Sequence, residues 1–569
     1  MHSQTFDSPF AQSIYEARYK HPQDGDWNGT SKRVVGAVTG ALYGAPSAQG
    51  NVSFIQDVAD RLYGLHSRRQ FIAGGRYLYA AGRDLHQVCN CVLLRAEDSR
   101  EGWADLAYKS AMALMTGAGI GVWYGDIRES GAPISRTGGT ASGPQALMQL
   151  VNDQGRCYLQ GGNRRSAIWA GLPWWHPDIF AFITCKDWSD EIRALKEKDW
   201  NFPAPMDTTN ISVTLDDAFF HCLEHENALR DRCDAIAPDG GDWHSWANRV
   251  YKTAVGHMLK HGEPGFTIDT GQYKDEVLRN ACTEITSADD SDICNLGSLV
   301  MPRFESPAQF GGAVRDAVLF LTAGSLYSDV PYDKIKEVRD KNRRLGLGLI
   351  GVHEFLIKKG VKYGTDDAFD VLSPYMEQYS RALEYANEQQ DKLGLSRSIA
   401  ATAIAPNGTI GIIAESTPSA DPLFSAAEKR NVVVAKPNAN YHTQHVVVDP
   451  TAARLVREGI KPEQIEDAHT LSLMPERRMA QQAYLQAHTD HAISSTVNLA
   501  KPITDEEESS TFSNVMLRFL PDLRGITVYP DGARAGQPRN PVDLAWALEH
   551  EGTVFEGNEE TCVGGVCGV

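Results

Sequence analysis

Apolar and polar positions divide the chain into a short helical start and a long alternating region. Apolar residues recur at helical spacing in VSFIQDVADRLYGLH (52–66), which predicts a small helical N-terminal region over residues 1–70. From Phe71 to about Val528, short apolar runs alternate with longer amphipathic ones. Examples are CVLL (91–94), WADLAYKSAMALM (103–115), GIGVWYG (119–125) and GLGLIGVHEFLI (346–357). This alternation is typical of an α/β domain with many strands.

The last part of the chain has a different character. A short helical stretch, VDLAWALEHEG (542–552), is followed by EGNEETCVGGVCGV (556–569). The second piece is acidic, rich in glycine and poor in bulky apolar residues, so it lacks the means to form a core. We therefore expect residues 541–569 to form a flexible C-terminal tail.

Composition narrows the class of protein. Of the 569 residues, 42% are hydrophobic and 22% are charged, which is typical of a soluble globular protein. The net charge of −18 argues against general binding to the phosphate backbone of nucleic acids. A locally basic pocket can still hold a nucleotide, because net charge does not determine the local field.

Two further features concern the cellular compartment. No segment reaches the ~18 consecutive apolar residues that a membrane-spanning helix needs, and MHSQTFDSPF at the start lacks the pattern of an export signal. The ten cysteines form no dense disulfide framework. We expect a cytoplasmic protein with reduced thiols.

Two cysteines twelve positions apart carry the first candidate chemistry. Cys282 lies in RNACTEI (279–285), between Asn280 and Glu284, and Cys294 begins CNLGSL. In an extended loop, side chains two positions apart project to the same side. A thiol and a carboxylate that face one pocket can transfer hydrogen atoms and protons on adjacent atoms of a substrate. The alternative interpretation is two buried structural cysteines near a surface glutamate.

A second pair of cysteines, Cys562 and Cys567, lies in the predicted tail. An exposed thiol pair on a tether is suited to thiol–disulfide exchange, because the tether gives it a high effective concentration at an internal disulfide. The alternative is half of a zinc site that Cys89 and Cys91 would complete.

Two glycine-containing segments are candidates for phosphate contacts. The first lies within IAPNGTIGIIAESTP (404–418), where an apolar run ends in a turn sequence. The turn residues are Pro406, Asn407, Gly408, Thr409 and Ile410. Consecutive backbone N–H groups there could hold phosphate without net positive charge, and an ordinary turn is the alternative. The second, GGNRR (161–165), suits a nucleotide-contacting loop or a solvated turn.

In this order, the motifs resemble those of ribonucleotide reductases, from about Phe71 to the C-terminus. NCVLLRAEDS (90–99) resembles the first redox-cysteine strand, RNACTEI the radical-cysteine loop, CNLGS the second redox cysteine and PNGTI the substrate-phosphate loop. The resemblance implies that Cys282 carries a radical, assisted by Asn280 and Glu284. It also implies that Cys91 and Cys294 reduce the substrate and that Cys562 and Cys567 reduce the resulting disulfide.

Two late segments resemble the adenosylcobalamin-dependent class. They are DHAISSTVNLAKPIT (490–504) and RGITVYPDGARAGQP (524–538), and the cofactor implied is adenosylcobalamin. The chain lacks the Tyr-Tyr pair of the class with a diiron partner, and it ends in Cys-Gly-Val where the glycyl-radical class has Cys-Gly-Tyr. Ala281 and Thr283 stand where the cobalamin class often has Pro and Gly, which could alter the loop backbone.

The resemblance also implies a fold and an effector site. The fold is a ten-stranded α/β barrel of two five-stranded halves over residues 71–540, with Cys282 on a central finger loop. A deoxynucleotide effector would bind within residues 91–190. The residues implied are Asp98, Arg128, Asn163, Arg164 and Arg165. For Asp98 and Arg128 the alternative is a surface ion pair.

Partners and substrate follow from the same resemblance. The interval between Cys91 and Cys282 is too short for the insertion found in monomeric triphosphate reductases, so we expect a homodimer that acts on ribonucleoside diphosphates. Thioredoxin or glutaredoxin is the expected reductant. Two alternatives stay open: a large subunit that needs a separate radical-generating subunit, and a zinc-stabilised nucleotide-binding protein without radical chemistry.

Overall fold

The computed structural model describes residues 6–135, 138–158, 166–199, 202–225, 236–436, 439–531 and 540–556. At residues 197, 273, 294, 430–436, 439–444 and 554–556 it describes the backbone alone. Five of the site residues predicted from the sequence lie outside these ranges. They are Asn163, Arg164, Arg165, Cys562 and Cys567.

Strands and helices alternate through most of the described chain. The strands are β1 (Phe71–Ala73), β2 (Cys91–Arg95), β3 (Gly119–Trp123), β4 (Pro133–Ile134), β5 (Gly139–Thr140), β6 (Ile168–Pro173), β7 (Thr209–Asp216), β8 (Gly265–Asp269), β9 (Leu278–Arg279), β10 (Thr286–Ser287), β11 (Asp292–Val300), β12 (Leu345–Ile350), β13 (Ala427–Lys436), β14 (Ala439–Val448), β15 (Thr496–Leu499), β16 (Gly525–Pro530), β17 (Asn540–Pro541) and β18 (Val554–Glu556).

The helices fill the intervals between these strands. They are α1 (Pro9–Arg18), α2 (Trp27–Gly40), α3 (Val52–Ser67), α4 (Gly75–Ala80), α5 (Arg100–Met115), α6 (Pro144–Cys157), α7 (Ile179–Ile183), α8 (Asp190–Lys198), α9 (Asp217–Glu224), α10 (Trp243–His261), α11 (Pro307–Tyr327), α12 (Asp333–Asn342), α13 (Val352–Lys358), α14 (Asp366–Tyr379), α15 (Ala382–Leu393), α16 (Gly408–Ala414), α17 (Pro450–Arg457), α18 (Ala468–Leu471), α19 (Pro475–Gln486), α20 (Glu506–Phe519) and α21 (Leu544–Glu549). Among the described residues, none of these helices combines the length and apolar character needed to cross a membrane.

Five parallel strands form the first half of a barrel. Strands β2, β3, β6, β7 and β8 pair in this order, each parallel to the next. Parallel neighbours need long crossover connections, and helices α5 to α10 lie in those connections. Val92 and Leu94 of β2 pack outward against helix side chains such as Leu106 and Leu147, whereas Leu93 packs inside the ring.

The second half consists of β11, β12, residues 400–405, β15 and β16. Strand β11 is parallel to β12, and β15 is parallel to β16. Between them, the Ala403 amide donates to the Leu347 carbonyl of β12, and the Ser494 amide donates to the Ile404 carbonyl, both at 2.9 Å. Antiparallel pairing of β11 with β2 and of β16 with β8 closes the ring. The predicted ten-stranded α/β barrel of two five-stranded halves is confirmed.

The N-terminal helices pack against the second half of the barrel. Asp26 caps α2, because its carboxylate accepts a hydrogen bond from the Gly29 amide at 3.0 Å. Val34 of α2 and Leu62 of α3 are fully buried and share one apolar cluster with Leu319 of α11. The predicted helical start is confirmed, and its apolar faces contribute to the same core as the barrel.

The segment before residue 557 forms two short strands and a helix. Strand β17 pairs with β13 and β18 pairs with β14, which gives a four-stranded antiparallel sheet. Leu544 and Ala547 of α21 are buried in an apolar cluster beside this sheet. The apolar face of α21 therefore has a surface to bury, and the start of the flexible tail at residue 541 stays a prediction. Residues 557–569 lie outside the described chain.

Candidate active site

A short hairpin made of β9 and β10 lies in the centre of the barrel. The Asn280 amide donates to the Ile285 carbonyl at 3.2 Å, and the Ile285 amide donates to the Asn280 side-chain oxygen at 3.0 Å. The Thr283 amide donates to the Asn280 carbonyl at 3.0 Å. These bonds close a tight turn that holds residues 281–284 at the tip of the hairpin.

Apolar side chains from both halves of the barrel enclose the hairpin. Leu278 and Ile285 of the hairpin belong to one buried cluster with side chains of the wall. The wall members are Leu93, Trp123, Trp169, Leu296, Ala403 and Ala405. The finger loop through the centre of the barrel is therefore confirmed, and the apolar wall excludes water from most of it.

Two glycines of β3 allow the hairpin to approach the wall. A Cβ atom at Gly121 would lie 1.8 Å from the Arg279 carbonyl oxygen. A Cβ atom at Gly119 would lie 3.0 Å from the Cβ of Ala281 and 3.3 Å from the sulfur of Cys91. Neither residue was predicted from the sequence, although glycine inside a strand is a sign of close backbone approach.

Cys282 lies at the accessible end of an otherwise buried loop. Asn280 and Glu284 are 0% and 1% exposed, and Ala281 is also buried. Cys282 has intermediate exposure. Cys282 therefore lies on a loop enclosed by the barrel and is itself partly exposed. The hypothesis that places Cys282 on a sheltered loop agrees with this geometry.

Cys91 lies beside the hairpin. The Asn280 side-chain amide donates to the Cys91 sulfur at 3.5 Å. The backbones of Cys91 and Cys294 are register partners on antiparallel strands β2 and β11. Such partners have Cα atoms about 4.5–5.5 Å apart, a separation that a disulfide can bridge. The side chain of Cys294 lies outside the described part of the structure.

Burial changes the acid–base behaviour of Glu284. It raises the pKa of the carboxyl group to about 7, and hydrogen bonds from its own amide and from Asn280 offset this only in part. Within the described chain, Glu284 Oε2 has no hydrogen-bond partner. A carboxyl group with a pKa near neutrality and an open oxygen can take up or release a proton near pH 7.

Thr283 has an uncommon backbone conformation. Its φ angle is +69°, in the left-handed region that a β-branched residue adopts at a cost of about 1–3 kcal/mol. Glycine adopts such an angle easily, because it has no β-carbon. The threonine therefore strains the loop and leaves its left-handed turn in place.

Buried charges anchor the base of the hairpin. Glu276 precedes β9 and pairs with Arg344 at 2.8 Å and with Arg524 at 3.2 Å. Arg344 also donates to Asp292 of β11 at 2.9 Å. From β10, the Thr286 hydroxyl donates to Glu276 Oε2 at 2.5 Å. These contacts connect both strands of the hairpin to the barrel wall. They were not predicted from the sequence, because the partners are far apart in the chain.

The predicted phosphate loop forms the start of a short helix. Residues 408–410 are the first residues of α16, and Asn407 precedes them with a φ of +47°. N–H groups in a first helical turn have no carbonyl partner within the helix. The Asn407 side-chain amide donates to Ser298 Oγ of β11 at 3.0 Å. This bond ties the loop to the strand that carries Cys294. Pro406 is exposed at the start of the loop.

Asp98 and Arg128 form an ion pair on the surface. Arg128 Nε donates to Asp98 Oδ2 at 2.6 Å, and both side chains are partly exposed. This geometry is the surface ion pair considered as the alternative above. The effector role of Asp98 and Arg128 stays a prediction, as does that of residues 163–165.

Cys89 and Cys91 lie in different surroundings. Cys89 is buried in the apolar cluster outside the barrel wall, where burial raises the pKa of its thiol. Cys91 contacts the hairpin inside the barrel. Thiolates that share a zinc ion must converge on one point. The two environments therefore argue against the zinc site considered from the sequence.

Known proteins share this sequence pattern. Residues 89–258, 272–392 and 380–520 match the family described as "Ribonucleotide reductase, barrel domain". A vitamin B12-dependent ribonucleoside-diphosphate reductase of Mycobacterium tuberculosis is 25% identical over 563 residues, which cover 90% of this chain and 77% of the relative. A protein of the same name from Thermoplasma acidophilum is 26% identical over 521 residues, which cover 83% of this chain and 65% of the relative.

A solved structure shares the fold. The class Id ribonucleotide reductase alpha subunit of Actinobacillus ureae superposes with a TM-score of 0.69 over 92% of this chain and 97% of that chain. The sequence identity is 15%, so the likeness concerns the fold alone.

The closed barrel and its central hairpin define a class of α/β-barrel proteins that carry a cysteine inside the ring. The family match spans well over half of the residues. The chain therefore belongs to the ribonucleotide reductase family through its barrel domain.

Proposed function

We propose that this chain converts ribonucleoside diphosphates to 2′-deoxyribonucleoside diphosphates, with adenosylcobalamin as its cofactor. Family membership supports the reaction, and the names of the two relatives support the cofactor and the diphosphate substrate. The observation that carries the proposal is the central hairpin. It holds Cys282 at its accessible tip and a carboxyl group of raised pKa, Glu284, two residues later.

The residues around Cys282 fit a cofactor that supplies one-electron chemistry. Adenosylcobalamin provides such chemistry, when bound, through homolysis of its cobalt–carbon bond. The thiol of Cys282 is partly exposed, whereas Asn280 and Glu284 on either side are buried. Cys282 is thus well placed to lose a hydrogen atom to a reactant in the barrel. The apolar wall formed by side chains such as Leu93 and Trp169 protects the resulting sulfur radical from water.

In the proposed reaction each hairpin residue has a different role at the ribose. The sulfur of Cys282 takes the hydrogen atom from the 3′ carbon and returns it at the end. Glu284 takes the proton of the 3′-hydroxyl group, which its pKa of about 7 permits near neutral pH. Asn280 orients the loop, because it bonds the Ile285 amide and the Cys91 sulfur.

Cys91 and Cys294 supply the reducing equivalents in this scheme. The 2′-hydroxyl group leaves as water, a hydrogen takes its place on carbon, and the two thiols lose two hydrogens to become a disulfide. The register of β2 and β11 supports the pairing, because opposite residues on these strands can be bridged without backbone movement.

The substrate phosphates are assigned to residues 408–410. Their N–H groups begin α16 and can hold an anion without a net positive charge nearby. The bond between Asn407 and Ser298 connects this loop to β11. The loop and the redox strand therefore belong to one connected site.

The remaining parts of the proposal rest on the sequence resemblance. Cys562 and Cys567 would reduce the internal disulfide and pass the oxidation to thioredoxin or glutaredoxin. A deoxynucleotide effector would contact Asp98 and Arg128, with residues 163–165 in the coupling loop. We further propose a homodimer located in the cytoplasm.

The test of the proposed function is turnover of the purified chain. It is supplied with adenosylcobalamin, dithiothreitol and a ribonucleoside diphosphate, and the deoxynucleotide product is measured. We expect product from the unaltered chain and none from Cys282→Ala with any reductant. Cys157→Ala is the matched control, because Cys157 is an exposed thiol outside the barrel centre, and it should retain activity.

Two other results would contradict parts of the proposal. Product that forms only when a separate subunit is added would favour the large-subunit alternative over the cofactor assignment. Product from Cys282→Ala at the rate of the unaltered chain would contradict the role of the hairpin cysteine.

A second experiment concerns the tail. Cys562→Ser combined with Cys567→Ser should abolish turnover driven by thioredoxin and preserve turnover driven by dithiothreitol. The reason is that a small dithiol reaches the internal disulfide without a tethered shuttle. Equal loss with both reductants would rule out a shuttle role for the tail.

A further inference from the structure

Two histidines and an aspartate meet on the outer side of the first barrel half. His257 and His261 lie one turn apart near the end of α10, with ring centroids 5.7 Å apart. Asp187 lies in the loop between α7 and α8, with Oδ1 3.5 Å from His257 Nδ1. The ligand atoms of all three residues lie within 4.8 Å of one another. In the described part of the chain, this is the one group of three or more His, Cys, Asp or Glu side chains with this arrangement.

The spacing of these atoms suits a small metal ion. A tetrahedral ion with bonds of about 2.0–2.1 Å holds its ligand atoms roughly 3.3 Å apart. The distance between His257 and Asp187 already approaches this value. Both side chains are partly exposed, so an ion can enter from solvent and a water molecule can complete its coordination.

The elements that present these ligands are well defined. Asp242 caps the start of α10 by accepting from the Ser245 amide at 2.8 Å, and the helix ends at Gly262 in the left-handed conformation. Lys186, next to Asp187, pairs with Glu263 at 2.5 Å. The loop is therefore held against the end of the helix before any ion binds, which lowers the entropy cost of bringing the ligands together.

The local charges affect both the ligands and the ion. Burial lowers the pKa of His261, and His257, Lys260 and Arg193 lower it further against the opposite effect of Asp187. A neutral imidazole is the form that binds metals. Lys260 and Arg193 also repel a cation, so a site of moderate affinity is expected.

We propose that Asp187, His257 and His261 form a binding site for a divalent transition metal. Zn²⁺ is the ion that two imidazoles, one carboxylate and a water favour. Bound there, the ion would fasten the loop between α7 and α8 to the end of α10, directly before β8. The proposal is independent of the reductase reaction, because the site shares no residue with the central hairpin.

A second histidine pair provides an internal comparison. His221 and His225 are also four positions apart, in α9 and at its end, with ring centroids 4.8 Å apart. Glu224 is 4.0 Å from His225 Nε2, yet no third ligand among the described residues completes a site with both rings. Among the described residues there are thus two similar histidine pairs, and a carboxylate converges with both rings at His257 and His261 alone.

The test is isothermal titration of the full chain with zinc chloride. The reference protein carries Cys562→Ser and Cys567→Ser, so that thiols of the tail do not compete for the metal. We expect one saturable site that weakens at least about tenfold after Asp187→Asn, His257→Ala or His261→Ala. His221→Ala should leave the zinc affinity unchanged.

Thermal unfolding provides a second readout. Zinc should raise the melting temperature of the reference protein and of His221→Ala, because an ion that binds the folded state alone stabilises it. Asp187→Asn should show no such rise. Comparison of its melting temperature without zinc with that of the reference protein shows whether the substitution itself destabilises the fold. Unchanged zinc affinity in all three ligand variants, or absence of saturable binding in the reference protein, would overturn the proposal.

Discussion

Two ion pairs of this protein have similar contact distances and very different surroundings. Arg344 and Asp292, at the base of the central hairpin, are 2.9 Å apart with side chains 3% and 0% exposed. Arg128 and Asp98, on the surface, are 2.6 Å apart with side chains 41% and 30% exposed. Water and salt screen the second pair, whereas the first has only its protein partners. Burial, and not distance, therefore decides how much each ion pair affects the stability of the folded protein.

The same difference separates the chemistry of the two regions. Inside the barrel, burial gives Glu284 a pKa of about 7, and Cys282 and Thr283 at the hairpin tip are partly exposed. A charged ligand from solvent can compete for either side chain of the surface pair. The interior is thus suited to a reaction that excludes water, and the surface region to reversible binding.

The largest effect is expected when a buried charge loses its partner. Arg344→Met should lower the free energy of unfolding by about 3–5 kcal/mol, because Asp292 then stays buried without this guanidinium and the partly exposed Glu276 loses one of its two arginine partners. The matched surface change, Arg128→Met, should cost about 0–1 kcal/mol. Urea unfolding of both variants measures the two losses. Losses of equal size would show that burial does not distinguish the pairs.

The next effect concerns Glu284 and pH. Below about pH 4 the carboxyl group is protonated in the folded and unfolded states, and burial then has no ionic cost. As the pH rises toward about 7, the unfolded state releases the proton while the folded state retains it, so the native protein loses stability on the order of 3 kcal/mol.

Glu284→Gln removes this titration. The variant should therefore gain stability relative to the native chain as the pH increases from 4 to 8, although it loses activity. Urea unfolding of both proteins at several pH values measures the difference. A stability difference that stays constant with pH would exclude a raised pKa for Glu284.

The smallest effect concerns strain at the hairpin tip. Thr283→Gly should raise the free energy of unfolding by about 1 kcal/mol, because relief of the positive φ outweighs the added flexibility of the unfolded chain. Thr283→Ala keeps a β-carbon and is the matched control, which should gain less. Thermal unfolding of both variants measures the two changes in stability. An equal change in the two would show that the backbone angle is not the source of the strain.

The predictions from the sequence succeeded where the signal is local. The alternating apolar runs indicated the strands, and the resemblance of the short motif around Cys282 to that of ribonucleotide reductases implied the loop at the centre of the barrel. The boundary of the tail stays a prediction, because the apolar face of α21 can be interpreted only together with the sheet beside it. Gly119 and Gly121 were missed, since their role depends on a hairpin more than 150 positions later.

The amino-acid order by itself determined the elements of the barrel, the order of its motifs and the residues available for the reaction, because helix and strand periodicity act over a few neighbouring positions. Only the tertiary structure decided which of those residues meet. It placed Arg344 against Glu276, set Cys91 opposite Cys294, and brought Asp187 to the end of α10. The tertiary structure also decided the pKa of Glu284, because that pKa depends on the removal of water by side chains from distant parts of the chain.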